Sequence, residues 1–344
     1  MSIPAKASQP QAAILDLITG FWAAQAVAAV ARLGVADELA KGPRTAHELA
    51  PILGAHPGAL YRLLRAMTSI GVLAKDAAGR FSLTPVGDCL RSGIPGSMRA
   101  SIASELDTAH WQSWGRLDDS IRTGQPAFQK LFGMSAWEYY RTRNPEEGRL
   151  FSENMTAMSG AEMQAILAAY SFAGARLIVD VGGAHGAFLA AVLGKVPQAH
   201  GVLFDRREVV ELAVAALKEA GVADRVERVS GDFFESVPAG GDLYLLKHIL
   251  HDWTDDECVT ILRSIRKAMA PAARVVVAEL PILEGDPSPF TALVDVNMLV
   301  MVTGKERTPE EYAELFLRAD LKMTSVTSTE SPIALLEARA AQGR

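Results

Sequence analysis

Leu177-Ile-Val-Asp-Val-Gly-Gly-Ala-His-Gly186 is the stretch on which the fold turns. A short apolar run, Leu177–Val181, enters a glycine-rich loop and leads into the helix-forming run Ala187–Leu193. Strand, tight loop and helix in that order open a parallel α/β sheet. Glycines at such a junction let backbone amides approach a ligand, and the N-terminus of the helix favours an anionic group. The dinucleotide fingerprint G-x-G-x-x-G fails here, because from Gly182 its second and third glycines would fall on Ala184 and Ala187.

Moving outward, short β-rich runs alternate with helical stretches: Gly201–Phe204, Val226–Ser230, Leu243–Leu246 and Val275–Ala278. That alternation predicts a doubly wound parallel sheet. Lys322–Thr327 and Ile333–Glu337 are too close for a parallel crossover, so the sheet should finish in an antiparallel hairpin. Asp205 ends the second strand, where a carboxylate can accept both ribose hydroxyls. Asp180, just before the loop, would sit badly beside a pyrophosphate and suits an ammonium group. A ligand with a ribose, an amine and a single carboxylate is S-adenosylmethionine. In Ser230-Gly-Asp232-Phe233, Asp232 can accept the adenine amino group with Phe233 against the ring, although an Asp after a strand is more often a helix cap.

The fourth strand runs into Leu246-Lys-His-Ile-Leu-His-Asp-Trp253. Two histidines at i, i+3 invite a metal, but no third ligand has suitable local spacing and H-E-x-x-H is absent, so no metal is expected. A histidine general base fits better, since its ordinary pKa lets it take a proton at neutral pH. Its other ring nitrogen needs an orienting partner, and Glu279 and Glu306 are the candidates. His248 is read as a core residue or one that supports the site from behind, its side chain turned away from this work.

Upstream, Gln11–Leu33 carries Ile14, Leu17, Ile18, Phe21 and Trp22 at helical spacing, a face that wants a partner surface. Thr45-Ala-His-Glu48 is a capping box, Gly54 can end that helix, and Pro57 opens another with Leu60, Leu63, Leu64 and Met67. Val72–Ala74, a turn at 76–79 and Phe81–Leu83 then form a hairpin, which completes the pattern of a winged helix. Residues 101–170 read as helices punctuated by aromatics whose commonest fate is core packing.

The 344-residue length suggests two domains, and 49% hydrophobic residues exclude a disordered chain. Cys89 and Cys258 form no disulfide framework, the N-terminus does not read as a signal peptide, and Phe21–Ala36 looks too short to span a bilayer. A soluble protein of the reducing cytoplasm is expected. Residues 1–100 carry ten Lys/Arg against six Asp/Glu, while 101–344 carry twenty-four against thirty-four. The basic front half raises nucleic acid, yet residues 57–70 offer only Arg62 and Arg65 among apolar neighbours, too little for a helix reading a groove.

Taken together and in order, Asp180-Val-Gly-Gly, Phe204-Asp205, Gly231-Asp232-Phe233, Lys247…His251-Asp252-Trp253, Ala278-Glu279 and Gly304-Lys-Glu-Arg-Thr308 resemble the class I S-adenosylmethionine-dependent O-methyltransferases of the caffeic acid/hydroxyindole type, whose bacterial members modify natural products. The resemblance implies a Rossmann-like α/β methyltransferase domain at 106–344, behind a winged-helix dimerisation domain at 1–105. Within the larger domain, 106–170 would line the acceptor and 171–344 would hold the cofactor. It further implies that His251 is the base, with Glu279 and Glu306 holding its ring. Gly182, Asp205, Asp232, Phe233, Lys247 and Ser159 would bind S-adenosyl-L-methionine, released as S-adenosyl-L-homocysteine. Met155, Asn297, Met298, Met301 and Trp111 would line the slot for a small aromatic hydroxylated acceptor. The expected chemistry is metal-independent in-line displacement by a homodimer, with no membrane or nucleic-acid partner. A cofactor-bound hydroxylase or decarboxylase on the same scaffold, and a winged-helix regulator of DNA, are the alternatives. Two departures stand out: Ala184 replaces the usual third glycine, and Arg206-Arg-Glu208 follows Asp205.

Overall fold

The structure, a computed structural model, describes residues 9–283 and 289–341, though not the side chains of 156–159 and 161. The chain forms two compact units, one of Met1–Gly115 with Trp137–Met158 and one of Arg116–Ala136 with Ser159–Arg344. The division is interleaved rather than a cut at 105/106, because the chain returns to the first unit at Trp137. Segment 106–170 therefore contributes to both.

In the first unit, helix α1 spans Pro10–Leu33, and Gly34 at φ 72 stops it. The capping box forms on helix Ala46–Ile52: Thr45 Oγ accepts from the Glu48 amide, and the Glu48 carboxylate accepts from the Thr45 amide at 2.7 Å. Helix Pro57–Ser69 turns Leu60, Leu64 and Met67 inward, so its apolar residues build core as expected. Strands β1 (Leu73–Lys75) and β2 (Phe81–Leu83) make the antiparallel hairpin, β1 starting one residue later than the sequence suggested. The side chain of Asp76 accepts from the Arg80 amide and closes the turn.

The second unit is built on seven strands: β3 (Leu177–Val181), β4 (His200–Asp205), β5 (Val226–Ser230), β6 (Leu243–Lys247), β7 (Arg274–Glu279), β8 (Leu321–Ser328) and β9 (Ala334–Ala340). Their order is β5-β4-β3-β6-β7-β9-β8. All pairs are parallel except β7 with β9 and β8 with β9, which gives the expected antiparallel finish. Apolar layers cover both faces, which explains why β6 and β7 read as continuous apolar runs rather than alternating ones. The chain winds outward from β3 to β5, then returns to place β6 on the other side of β3. Such a switch point opens a crevice beyond the carboxyl ends of the strands. Register aligns Val181 with Phe204, Asp205 with Ser230 and Lys247 with Ala278, so the ends of five strands meet at one edge.

Candidate active site

At the end of β3 the loop needs its glycines for specific reasons. Gly182 lies at φ 71, and a Cβ there would stand 2.5 Å from Ile249 Cδ1 and 3.8 Å from Phe233 Cε1. A Cβ on Gly183 would stand 2.5 Å from both Asp180 Oδ2 and Leu203 Cδ1. Ala184, in place of a third glycine, adopts φ 49, a left-handed backbone that glycine takes without strain. The loop is pinned to β4, since Ala184 N–H donates to Asp205 Oδ2 at 2.9 Å and Gly182 N–H to the Phe204 carbonyl at 2.8 Å.

Asp180 is buried, and its Oδ2 makes no hydrogen bond. Burial, reinforced by the charge of Asp205, pushes its carboxyl up to about 7. Asp205 is likewise raised, chiefly by burial. An orphaned buried carboxylate oxygen beside a cradle that no Cβ may enter fits a ligand bearing an amine, as S-adenosylmethionine does. Phe233 packs edge-on against Phe234 and Trp253, close to Gly182. Asp232 is exposed and caps its own turn, with the Phe234 amide donating to Oδ1 at 2.9 Å. Lys247, at the end of β6, puts its Nζ 2.7 Å from Glu162 Oε2, so it is already ion-paired.

The segment carrying His251 follows β6 in a short 3₁₀ turn, Leu250–Asp252. His251 is buried, with Nδ1 2.8 Å from Glu306 Oε1 and 3.7 Å from Glu279 Oε2. Asp252 Oδ1 lies 3.6 Å from His251 Nε2. Glu279 is fixed by its other oxygen, which accepts from the Ile249 and Leu250 amides at 3.1 and 2.9 Å. Both glutamates offered by the sequence therefore face the same ring nitrogen. Burial alone would lower the affinity of His251 for its proton, but the charges of Glu279, Asp252 and Glu306 outweigh it and carry the pKa up to about 10. Asp252 is pushed up to about 7 by burial, against the opposing charge of His251.

Three bracing residues were not singled out by sequence reasoning. Arg307 is fully buried and donates to the carbonyls of Leu250 and Trp253 and to Asp255, locking the turn that carries His251. Asp295 accepts from the Glu306 amide at 3.0 Å. Glu162, from the long helix Pro145–Ala169, binds both Lys247 and His248. The reading of His248 is corrected: its ring is not turned away but stacks on His251, centroids 5.2 Å apart. The absence of a third metal donor by local spacing also needs amending. His248, His251 and Glu279 bring donor atoms within 4.8 Å of one another, because Glu279 arrives from a strand distant in sequence. Nδ1 of His251 is nevertheless already taken by Glu306, and Nε2 of His248 by Glu162.

The remaining candidates fall into the two units. In the second, Asn297 and Met298 are half-buried and Met301 buried on helix Pro289–Met301, which packs against helices Leu117–Thr123 and Ala127–Phe132. In the first, Met155 is half-buried and Trp111 packs its ring 6.1 Å from that of Phe21. That unit also buries a polar group the sequence did not announce: Asn154 donates to Glu105 at 2.9 Å, and the other oxygen of Glu105 lies 3.6 Å from His110 Nε2. The side chain of Ser159 lies outside the described residues.

Two family models match this chain, an O-methyltransferase domain over residues 114–322 and an O-methyltransferase dimerisation domain over 15–93. Phenazine O-methyltransferase PhzM of Lysobacter antibioticus is 37% identical over 326 residues, covering 95% of each chain. A mitomycin biosynthesis 6-O-methyltransferase of Streptomyces lavendulae is 37% identical over 330 residues, covering 95% of this chain and 93% of that one. Among solved structures, a neocarzinostatin-biosynthesis O-methyltransferase in complex with S-adenosylmethionine and 2-hydroxy-5-methyl naphthoic acid superposes with a TM-score of 0.80 at 32% identity. That match covers 92% of this chain and 96% of the other.

Proposed function

The chain belongs to the S-adenosylmethionine-dependent O-methyltransferases, and from that premise we propose that it methylates a hydroxyl of a small aromatic natural-product acceptor, with His251 as the base. The observation that carries the assignment of the base is the buried imidazole held between Glu306 and Glu279 at the carboxyl edge of the sheet. When bound, S-adenosylmethionine supplies an electrophilic methyl group on a sulfonium sulfur.

This chain's residues supply the rest. Glu306 holds the Nδ1 proton of His251 and so leaves Nε2 to take the proton of the acceptor hydroxyl. The hydroxyl oxygen keeps the electron pair and becomes the nucleophile. Glu279 and Glu306 stabilise the imidazolium that results, and Arg307 holds the turn still meanwhile. No cation is called for, because His251 removes the proton that a metal would otherwise help to displace. Asp180 would take the amine of the cofactor, Asp205 the ribose, and Phe233 the adenine face, with Gly182, Asp232, Lys247 and Ser159 completing the set. Met155, Trp111, Asn297, Met298 and Met301 would line the acceptor. Relatives whose names specify phenazine, mitomycin or 3-amino-4-hydroxybenzoate chemistry point to a planar, substituted ring. The hydroxylase, decarboxylase and DNA-reading alternatives draw no support from these relatives.

Helix α1 is 24 residues long and, by length and composition, apolar enough to cross a membrane, longer than the apolar run the sequence reading picked out. Its overlap with the dimerisation model favours a second copy of the chain as the cover for that face. The same reading sets the homodimer in the cytoplasm, where the free thiols of Cys89 and Cys258 persist reduced. The test is a mass-spectrometric screen of hydroxylated aromatics with S-adenosylmethionine. A product heavier by one CH2, a methyl group in place of the hydroxyl proton, is expected with wild-type protein and far more slowly with His251→Asn, whereas oxygenated or decarboxylated products would overturn the reading.

A further inference from the structure

His248 is held in left-handed backbone at φ 54, a conformation that β-carbon-bearing residues adopt at a cost and retain only where their surroundings enforce it. Its amide donates to the Ala278 carbonyl at 3.1 Å, and that bond helps fix the departure from β6. The result is a second imidazole stacked on the base, with the ring planes inclined by 29°. Nε2 of His248 lies 3.1 Å from Glu162 Oε2, the same oxygen that Lys247 contacts. Nδ1 of His248 lies 3.7 Å from Glu279 Oε2, and Nδ1 of His251 lies 3.7 Å from that same atom. One carboxylate oxygen, buried and without a hydrogen bond of ordinary length, is thus shared equally by two rings.

We propose that His248 is a positioning residue that sets the proton affinity of His251 through their shared carboxylate, Glu279. The array is close to charge balance: Lys247, His248 and His251 as cations face Glu162, Glu279 and Glu306 as anions, with Asp252 beside the base. Tyr312, an ionisable neighbour of Glu279 and Glu306, is held neutral by burial and by their charge, and burial likewise raises the thiol of Cys258 beside Glu279. Glu162 supports the charge on His248. Burial would raise the Glu162 carboxyl, but His248 and Lys247 bring it down to about 2. With His248 charged, part of the field of Glu279 is spent on it, and His251 releases its proton more readily. Without that imidazole, Glu279 answers to His251 alone and the base holds its proton harder.

This inference rests on His251 being the base, and its test is independent of turnover. Histidine-labelled full-length protein is titrated by NMR, with the His251 ring signals assigned from His251→Asn. His248→Asn and His248→Gly both suit left-handed backbone, so either one suffices should the other fold poorly. The expected result is that the His251 midpoint rises by about one pH unit in these variants. A midpoint that stays or falls would overturn the proposal, whatever the variants do to the rate. Failure of the base assignment would appear elsewhere, as full turnover by His251→Asn.

Discussion

A Cβ placed on Gly304 would stand 1.9 Å from the carbonyl oxygen of His251, because the backbone of one segment lies directly on the backbone of the other. The same Cβ would lie 2.5 Å from the Asp252 carbonyl carbon and 2.6 Å from the Trp253 amide nitrogen. No side-chain rotation relieves such an overlap. Gly304→Ala should therefore push the segment carrying Glu306 and Arg307 off the turn that carries His251. A misplacement of about 1 Å can cost roughly 10²-fold in rate. Steady-state turnover is expected to fall by about that factor, with a lowered melting temperature. Wild-type turnover in this variant would show that the two segments can part without consequence.

Glu306→Gln keeps the size of the side chain and removes the charge that holds the imidazolium. A positioning partner of this kind is worth about 10- to 100-fold in activity, whereas His251→Asn should cost about 10²- to 10⁴-fold. Cofactor affinity, measured by calorimetry, should change little in either. In the wild type kcat/KM should climb with pH toward about 10, as the imidazolium of His251 gives up its proton. Stability runs the other way. A histidine whose pKa is raised by folding adds stability that is complete below its unfolded value near 6.5 and is lost as the pH climbs through about 10. A flat rate profile between pH 6 and 9 would remove His251 from the role of base.

The parallel strands, the antiparallel finish and the glycine loop were legible because each leaves a local pattern: apolar runs, loop length, and glycines at one junction. The capping box at Thr45 and Glu48 was legible for the same reason. What stayed hidden was brought in from far along the chain. Glu162 meets His248 across 86 residues and Arg307 meets Leu250 across 57, and neither separation has a periodicity to read. His248 was misplaced because ordinary strand geometry would turn it away from His251, and only its left-handed φ brings the two rings together. Gly304 stood in view within a motif, yet its reason, the backbone of His251, is visible only in three dimensions.

Ile18 and Trp22 on α1 are 60% and 64% exposed within the single chain, with Ile14, Leu15, Leu17 and Phe21 at least half exposed beside them. A single chain buries few of these side chains, so the apolar face calls for a cover. Ile18→Asp combined with Trp22→Asp should convert a dimer to monomers in sedimentation equilibrium. The hairpin and helix Pro57–Ser69 should fold as before, since the core around Leu60, Leu64 and Phe81 excludes both positions. An unchanged dimer mass would shift the interface to another surface.

Asp180 gives cofactor binding a pH dependence of predictable sign. Its carboxyl is raised from 3.8 to about 7, so the folded protein without ligand binds this proton more tightly than the unfolded chain does, and the contribution of Asp180 to stability declines as pH rises across that window. An amine paired with Asp180 requires the charged form. Binding of S-adenosylhomocysteine, which keeps the amine and lacks the sulfonium charge, should strengthen with rising pH and level off above about 7. At one pH unit below the midpoint the linkage amounts to about a ten-fold weaker Kd. The ligand's own amine stays protonated up to about pH 7.5, so it does not confuse the reading. Asp180→Asn should bind weakly and with no slope between pH 5.5 and 7.5 in isothermal titration. A slope that persists in that variant would assign the proton to another group, Asp205 first among them, because its carboxyl is also raised by burial and it holds the loop through Ala184.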